Sequence, residues 1–208
     1  MHPLLPTGGP RDCILQEVAA TLRSASGDIT NIETVLAASS VCADDIADEF
    51  GSETGLVMAL TDAAVLTTLE ALDDCTTEAG FRNSLLAFGN RVTDRDSGAQ
   101  LKHLYRIALS DAVGDADIGR TFYRHGPSLV RDELSRFFSS ARASGIGLSG
   151  DSHRLASHLM SLLRASWDFS GTASGDDRCS LPPSGVAAIV DLFCSGIEGE
   201  PKIGNRVL

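Results

Sequence analysis

Between Ser24 and Phe81 the chain has neither lysine nor arginine, yet those 58 residues carry twelve carboxylates. Their formal charge is -12, so in a 208-residue chain of net charge -11 everything else sums to +1. Charge asymmetry of this kind bears on partners and solubility, not on fold. No apolar run reaches the ~20 residues of a membrane-spanning helix. Met1–Pro10 lacks the apolar core of a signal peptide, and we therefore expect a cytoplasmic protein. The five cysteines (Cys13, Cys42, Cys75, Cys179 and Cys194) are odd in number and include no Cys-x-x-Cys pair. That argues against a disulfide framework or a zinc site, and each is expected as a small buried hydrophobe. Sustained strand-type alternation is missing too, which argues against a β-rich fold.

What is present is helical periodicity, in a chain whose hydrophobic fraction of 43% suits a soluble globular protein with a real core. Ile14, Leu15, Val18, Ala19 and Leu22 form an apolar stripe that Ser26-Gly27 stops. Thr30 or Asn31 can cap a second helix, with Ile32, Val35 and Leu36 inward. Ser39-Ser40-Val41 breaks it, and a third helix spans about Ala43–Phe50 with Ile46, Ala47 and Phe50 inward. Gly51-Ser52 ends that helix and starts a fourth, with Ser52 as N-cap and Glu53 in the first turn. Further helices are expected over about Glu78–Val92, Gln100–Val113, Ala116–His125, Pro127–Ser144, Asp151–Phe169 and Pro183–Ile197. Pro127 suits a first helical turn, Gly145 a C-terminal stop and Asp151 an N-cap. Asp94–Gly98 and Gly171–Leu181 read as exposed loops. The fold class is all-α: a small three-helix unit followed by a larger helical bundle.

From Ile32 to Leu60 the chain resembles the helix-turn-helix of the TetR family of bacterial regulators. Ile32-Glu33-Thr34-Val35-Leu36-Ala37 stands where that family has the first helix of the motif, and Val41 stands at its turn valine. Phe50-Gly51-Ser52, with Leu56 four residues on, matches its F-G-S-K-E-x-L signature. Ile14, Ala19 and Gly27 fit its first helix and the glycine that closes it. In the second half Leu104-Tyr105-Arg106, Phe122-Tyr123, Gly126-Pro127, Gly145 and Asp191-Leu192-Phe193 are similar to the AefR-like branch. The resemblance implies a TetR-like homodimer without a cofactor, a DNA-reading head over residues 1–52, and a ligand-binding and dimerisation domain over 53–208.

The departures lie where such a head would touch DNA. The family reads V-S-x-x-x-[LF]-Y-x-[HY]-F-G-S-K, whereas this chain has Val41-Cys42-Ala43-Asp44-Asp45-Ile46-Ala47-Asp48-Glu49-Phe50-Gly51-Ser52-Glu53. The packing residues keep their type. The contact positions Ala43, Asp44, Asp45, Ala47, Asp48, Glu49 and Glu53 include no cation. Cations on phosphates supply ~5–8 kcal/mol of non-specific DNA affinity at physiological salt. A carboxylate about 6 Å from a phosphate is repelled by ~0.7 kcal/mol at water's dielectric constant, so five acids cost roughly 3 kcal/mol, trimmed by salt. Arg11 and Arg23 on the first helix could reach the backbone but are too few to reverse that balance. Direct operator binding by this helix is therefore doubtful. The acids can instead be a solvated face, a surface for a protein partner, or a weak divalent-cation site, and the sequence leaves these three open.

By the same resemblance the body should enclose an apolar cavity for a small apolar or amphipathic ligand. Tyr105, Phe122, Met160 and Trp167 are candidates for its wall, with plain core packing the alternative for each. Leu159, Leu162, Leu163, Ile189, Val190 and Phe193, on the last two helices, are the candidate homodimer interface. His153 and His158 are five apart and share no helix face, which argues against a metal pair. His103 and His125 read as satisfied, partly buried histidines. The turn Gly145–Gly150, with Ser149, follows no strand and so is neither a nucleophile elbow nor a phosphate loop. No residue order supports an enzyme. The sequence reads as a ligand-sensing TetR-like homodimer whose acidic head has a protein partner. The alternative is a conventional TetR-family repressor controlled by a small apolar ligand.

Overall fold

The computed structural model describes residues 8–25, 29–73, 75–93, 97–170 and 183–197. Among them no β-strand occurs, and the helices run α1 (Pro10–Ser24), α2 (Ile32–Ala37), α3 (Ala43–Phe50), α4 (Glu53–Leu69), α5 (Glu78–Thr93), α6 (Ser97–Gly114), α7 (Ala116–Tyr123), α8 (Leu129–Ala143), α9 (Ser152–Ser170) and α10 (Pro183–Ile197). No helix of the described residues is long and apolar enough to cross a membrane.

Local chemistry explains most of the boundaries. Pro10 opens α1, where a missing N–H costs nothing. Asn31, not Thr30, caps α2: its side-chain oxygen accepts from the Thr34 N–H at 2.9 Å. Glu17 on α1 accepts from the Ser40 N–H at 2.7 Å, which ties the turn between α2 and α3 back to the first helix. Cys42 occupies the N-cap of α3 but makes no side-chain hydrogen bond there. Gly51, at φ 75°, closes α3 in the left-handed conformation that side chains resist. Ser52 then caps α4 by accepting from the Gly55 N–H at 3.1 Å. A Cβ on Gly55 would lie 2.2 Å from the Phe50 carbonyl oxygen, so this corner has no room for any other residue.

Buried side chains gather into two cores. The first joins Ile14, Val18 and Leu22 of α1 to Ile32, Val35, Ile46, Leu56 and Leu60, and extends to Leu104 and Ile107 of α6 and Phe122 of α7. The second is built on α5, α8, α9 and α10, where Phe81 stacks on Phe137 at 5.4 Å between ring centroids and Phe138 packs on Phe193 at 5.6 Å. Helix α4 serves both, with Leu56 and Leu60 in the first and Val65 in the second. The small three-helix unit is therefore not closed by its own residues. It is also latched to α6: His103 is buried and its Nδ1 lies 3.0 Å from the Leu22 carbonyl oxygen. A carbonyl only accepts, so that nitrogen carries a proton. Arg23 donates to Gln100 Oε1 at 3.1 Å beside it.

Several details differ from the sequence-based expectations. Pro127 does not start a helix: Arg124–Ser128 form a wide π-type turn that carries α7 into α8 with Pro127 inside it. The wider winding spares the hydrogen bond and the clash that proline brings to α geometry. Ala47 points to solvent, because short α3 touches α1 and α4 along a narrow strip centred on buried Ile46. Ser97 and Gly98 are helical, while 94–96 and 171–181 lie outside the described residues. None of the described cysteines is fully buried: Cys42 is exposed and Cys13, Cys75 and Cys194 are half-buried, with Cys179 outside the described residues. Gly145 does end α8, at φ 95°, and Asp151 does cap α9 by accepting from the Arg154 N–H at 3.0 Å.

Candidate functional site

Three regions carry candidate function. The first is the outward face of α3. Ala43, Asp44, Asp45, Ala47, Asp48 and Glu53 are exposed, and Glu49 is half-buried. The cations that could have offset these acids are engaged within the chain. Arg11 lays its guanidinium 4.4 Å over the Phe50 ring and donates from Nη1 to the Glu49 carbonyl at 2.5 Å. There it satisfies a carbonyl at the negative end of α3. Arg23 turns the other way, to Gln100 on α6. The acidic face thus has one nearby cation from α1, Arg11 at the C-terminal end of α3, against its several acids. No group of three His, Cys, Asp or Glu residues that could hold a metal occurs among the described residues.

The second region is a narrow, nearly filled cleft in the body, with about 40 Å³ of open cavity, between α4, α6, the π turn, α8 and α9. Tyr105, Phe122 and Met160 all line it, and Tyr105 lies 6.1 Å from Phe122 between ring centroids. The side chain of Trp167 lies outside the described residues. Thr61 and Thr68 add buried hydroxyls, donating to the Val57 and Ala64 carbonyls at 2.8 Å each. Arg164 completes the wall, its guanidinium 5.7 Å from the Tyr105 ring centroid. Sequence reasoning passed over Arg164. Its signal was there, because it follows Met160 by four residues and so shares that face of α9.

The third region is a shallow apolar groove along α9 and α10, lined by His158, Leu162, Leu192, Phe193 and Ile197 among others. Leu162 and Ile189 are half-buried. Leu159, Leu163, Val190 and Phe193, by contrast, are at most 5% exposed and belong to the second core of their own chain. Leu192, not among the interface candidates, is 66% exposed. Periodicity marks an apolar face but not whether the same chain or another covers it.

The remaining candidates have structural partners. His125 pairs with Asp62 on α4 at 2.8 Å, and Ser149 donates from N–H and Oγ to the Ile197 carbonyl at 2.9 and 3.0 Å. On α6, burial holds the Asp111 carboxyl above its ordinary value of 3.8, with the charge of Glu33 adding to the effect.

A three-helix head with a tight α3–α4 corner, set on an all-helical body with an apolar cleft, defines the architecture of TetR-type regulators. Residues 83–194, more than half of the chain, match the family of AefR-like transcriptional repressors in their C-terminal domain. The chain belongs to that branch of the TetR family. The fold is shared with a crystal structure assigned to the TetR-family transcriptional regulators of Mesorhizobium loti, 18% identical with a TM-score of 0.62, covering 91% of this chain and 97% of that one. It is also similar to the flavonoid-responsive regulator FrrA (18% identity, TM-score 0.55, 92% and 98% covered). A protein of unknown function from Rhodococcus gives 18% identity and a TM-score of 0.55, with 95% and 100% covered. No curated protein sequence shows a significant match.

Proposed function

We propose that this TetR-family chain is a cytoplasmic, ligand-responsive homodimer whose head, residues 1–52, regulates through a protein partner instead of docking directly on an operator. The body, residues 53–208, binds a small apolar or amphipathic ligand in the α4–α9 cleft and dimerises along α9 and α10, with Leu192 and Leu162 at the contact. One observation carries the reading. The exposed face of α3 presents Asp44, Asp45 and Asp48, while the exposed Arg11 and Arg23 are engaged by the Glu49 carbonyl and Gln100 of their own chain. A polyanion finds too little positive charge there to offset the acids.

Fluorescence anisotropy with the DNA upstream of the protein's own gene tests this. The wild-type protein is expected to show no site-selective capture at roughly 150 mM NaCl, where screening is still partial. The Asp44/Asp48/Glu49→Lys triple variant should gain about tenfold or more in duplex affinity, falling steeply with added salt. The same swap should end co-purification with a basic protein partner. Tight, site-selective binding by the wild type sinks the proposal.

A conventional repressor is the second reading. The intact corner favours it: Val41, left-handed Gly51 and the Ser52 cap hold α3 as a reading helix is held.

A further inference from the structure

Arg164 stands apart from the paired arginines of the body. Arg82 pairs with Asp191 at 2.6 Å, Arg131 with Asp132 at 3.4 Å and Arg136 with Glu133 at 2.9 Å, and Arg142 donates to the Gly150 carbonyl at 2.6 Å. Arg164 makes no ion pair among the described residues, and its Nε is buried without a hydrogen-bond partner. It lies against apolar walls formed by Val65, Leu104, Phe122 and Met160, and none of the described residues lining this cleft is acidic.

A guanidinium keeps its charge at any pH the protein meets, and a charge held among apolar walls is costly until an anion joins it. Thr61 and Thr68 use their hydroxyl protons on backbone carbonyls, so towards the cleft they offer lone pairs and no donor. The buried donor that lacks an acceptor is Arg164 Nε. This Nε and one Nη point the same way in the guanidinium plane, the spacing that matches the two oxygens of a carboxylate. The Tyr105 ring beside it further restricts the orientation of the group.

We propose that the cleft, about 40 Å³ when empty, widens as its side chains part to take a small apolar acid, a hydrocarbon or aromatic body bearing a single carboxylate, with Arg164 as the residue that binds the carboxylate. This inference rests on the reading of the cleft as the ligand site. Isothermal titration of the full chain at neutral pH tests it with decanoate and 2-naphthoate, each beside its neutral carboxamide. The wild-type protein should bind an acid about tenfold or more tightly than the matching amide. Arg164→Met should erase that preference and leave the amide affinity nearly unchanged, while its melting curve shows whether it folds. The wild-type comparison needs no variant. Equal binding of acid and amide means that a water satisfies Nε, and it overturns the acid anchor while leaving the apolar cleft in place. Survival of the preference in Arg164→Met overturns it likewise. If neither acid nor amide binds, the ligand-site reading falls and the anchor with it.

Discussion

Around α1–α3 the buried side chains are almost all aliphatic; the buried ring in that core, Phe122, is contributed by α7, with half-buried Phe50 of α3 packed against the same core. Around α5 and α8–α10, Phe81, Phe88, Phe137, Phe138 and Phe193 interlock. The two regions also place charge differently. The body pairs several of its described arginines with acids and leaves Arg164 facing a cleft, while the head turns acids outward and ties its exposed Arg11 to a backbone carbonyl. The head is thus both the thinner core and the more strongly charged surface. It reaches adequate burial by borrowing Leu104, Ile107 and Phe122 from the body, so a change in α6 or α7 is felt at α3 without any special pathway.

The strongest way to break that comparison is Leu104→Ala. The residue is fully buried on α6 but packs in the head-side core, and its loss should cost ~2–5 kcal/mol. Hydrogen exchange should then show α1–α3 deprotected while the centre of α8 keeps its protection. Uniform loss across both regions would mean one core, not two. Gly55→Ala comes next. Its Cβ meets the Phe50 carbonyl, and an overpacked site of this kind costs ~1–3 kcal/mol or more, readable as a fall in the urea midpoint. If stability is unchanged, the corner is looser than drawn.

A smaller pair of effects compares the two N-caps of the helix-turn-helix. Asn31→Ala removes the bond to the Thr34 N–H and should cost ~1 kcal/mol. Cys42→Ser gives α3 the acceptor it lacks and should return part of that amount as a higher melting temperature. The smallest effect is expected at Asp111. Its folded-state pKa is raised, so the native state favours the protonated carboxyl, and that relative stability fades as pH rises through the carboxylate range. Asp111→Asn should therefore stabilise the protein slightly at neutral pH, by no more than ~0.5 kcal/mol, and flatten the acid side of its stability profile. A steeper profile in the variant would contradict the assigned sign.

The features legible in the sequence were those fixed by neighbours a few residues away. Gly51, Ser52, Gly145 and Asp151 sit at helix ends whose chemistry is local, so each could be assigned from a short window, and the same window narrowed the α2 cap to Thr30 or Asn31. The same holds for the stripe from Ile14 to Leu22, because its 3.6-residue period is a local property too. What escaped depends on tertiary surroundings. Pro127 punctuates sequence strongly, but here the fold winds a wider turn around it. The apolar face of α9 gave no sign that Leu159 and Leu163 are used up within the chain, nor did α10 reveal that Leu192 is left outside. Tyr105, Phe122 and Met160 could be named as a group, but the unpaired nitrogen of Arg164 is visible only once its surroundings are known.

The π turn has one more consequence. Phe122 and Val130 both border the cleft although they are eight residues apart. In an unbroken α-helix each step rotates the chain by about 100°, which would leave them about 80° apart around the axis. The wider turn absorbs roughly one residue and reduces that offset to about 20°. Arg124–Ser128 thus act as a phase corrector. Deletion of Pro127 itself can be taken up by rewinding to ordinary helix, whereas a one-residue insertion would rotate α8 and pull Val130 and Leu134 away from their neighbours.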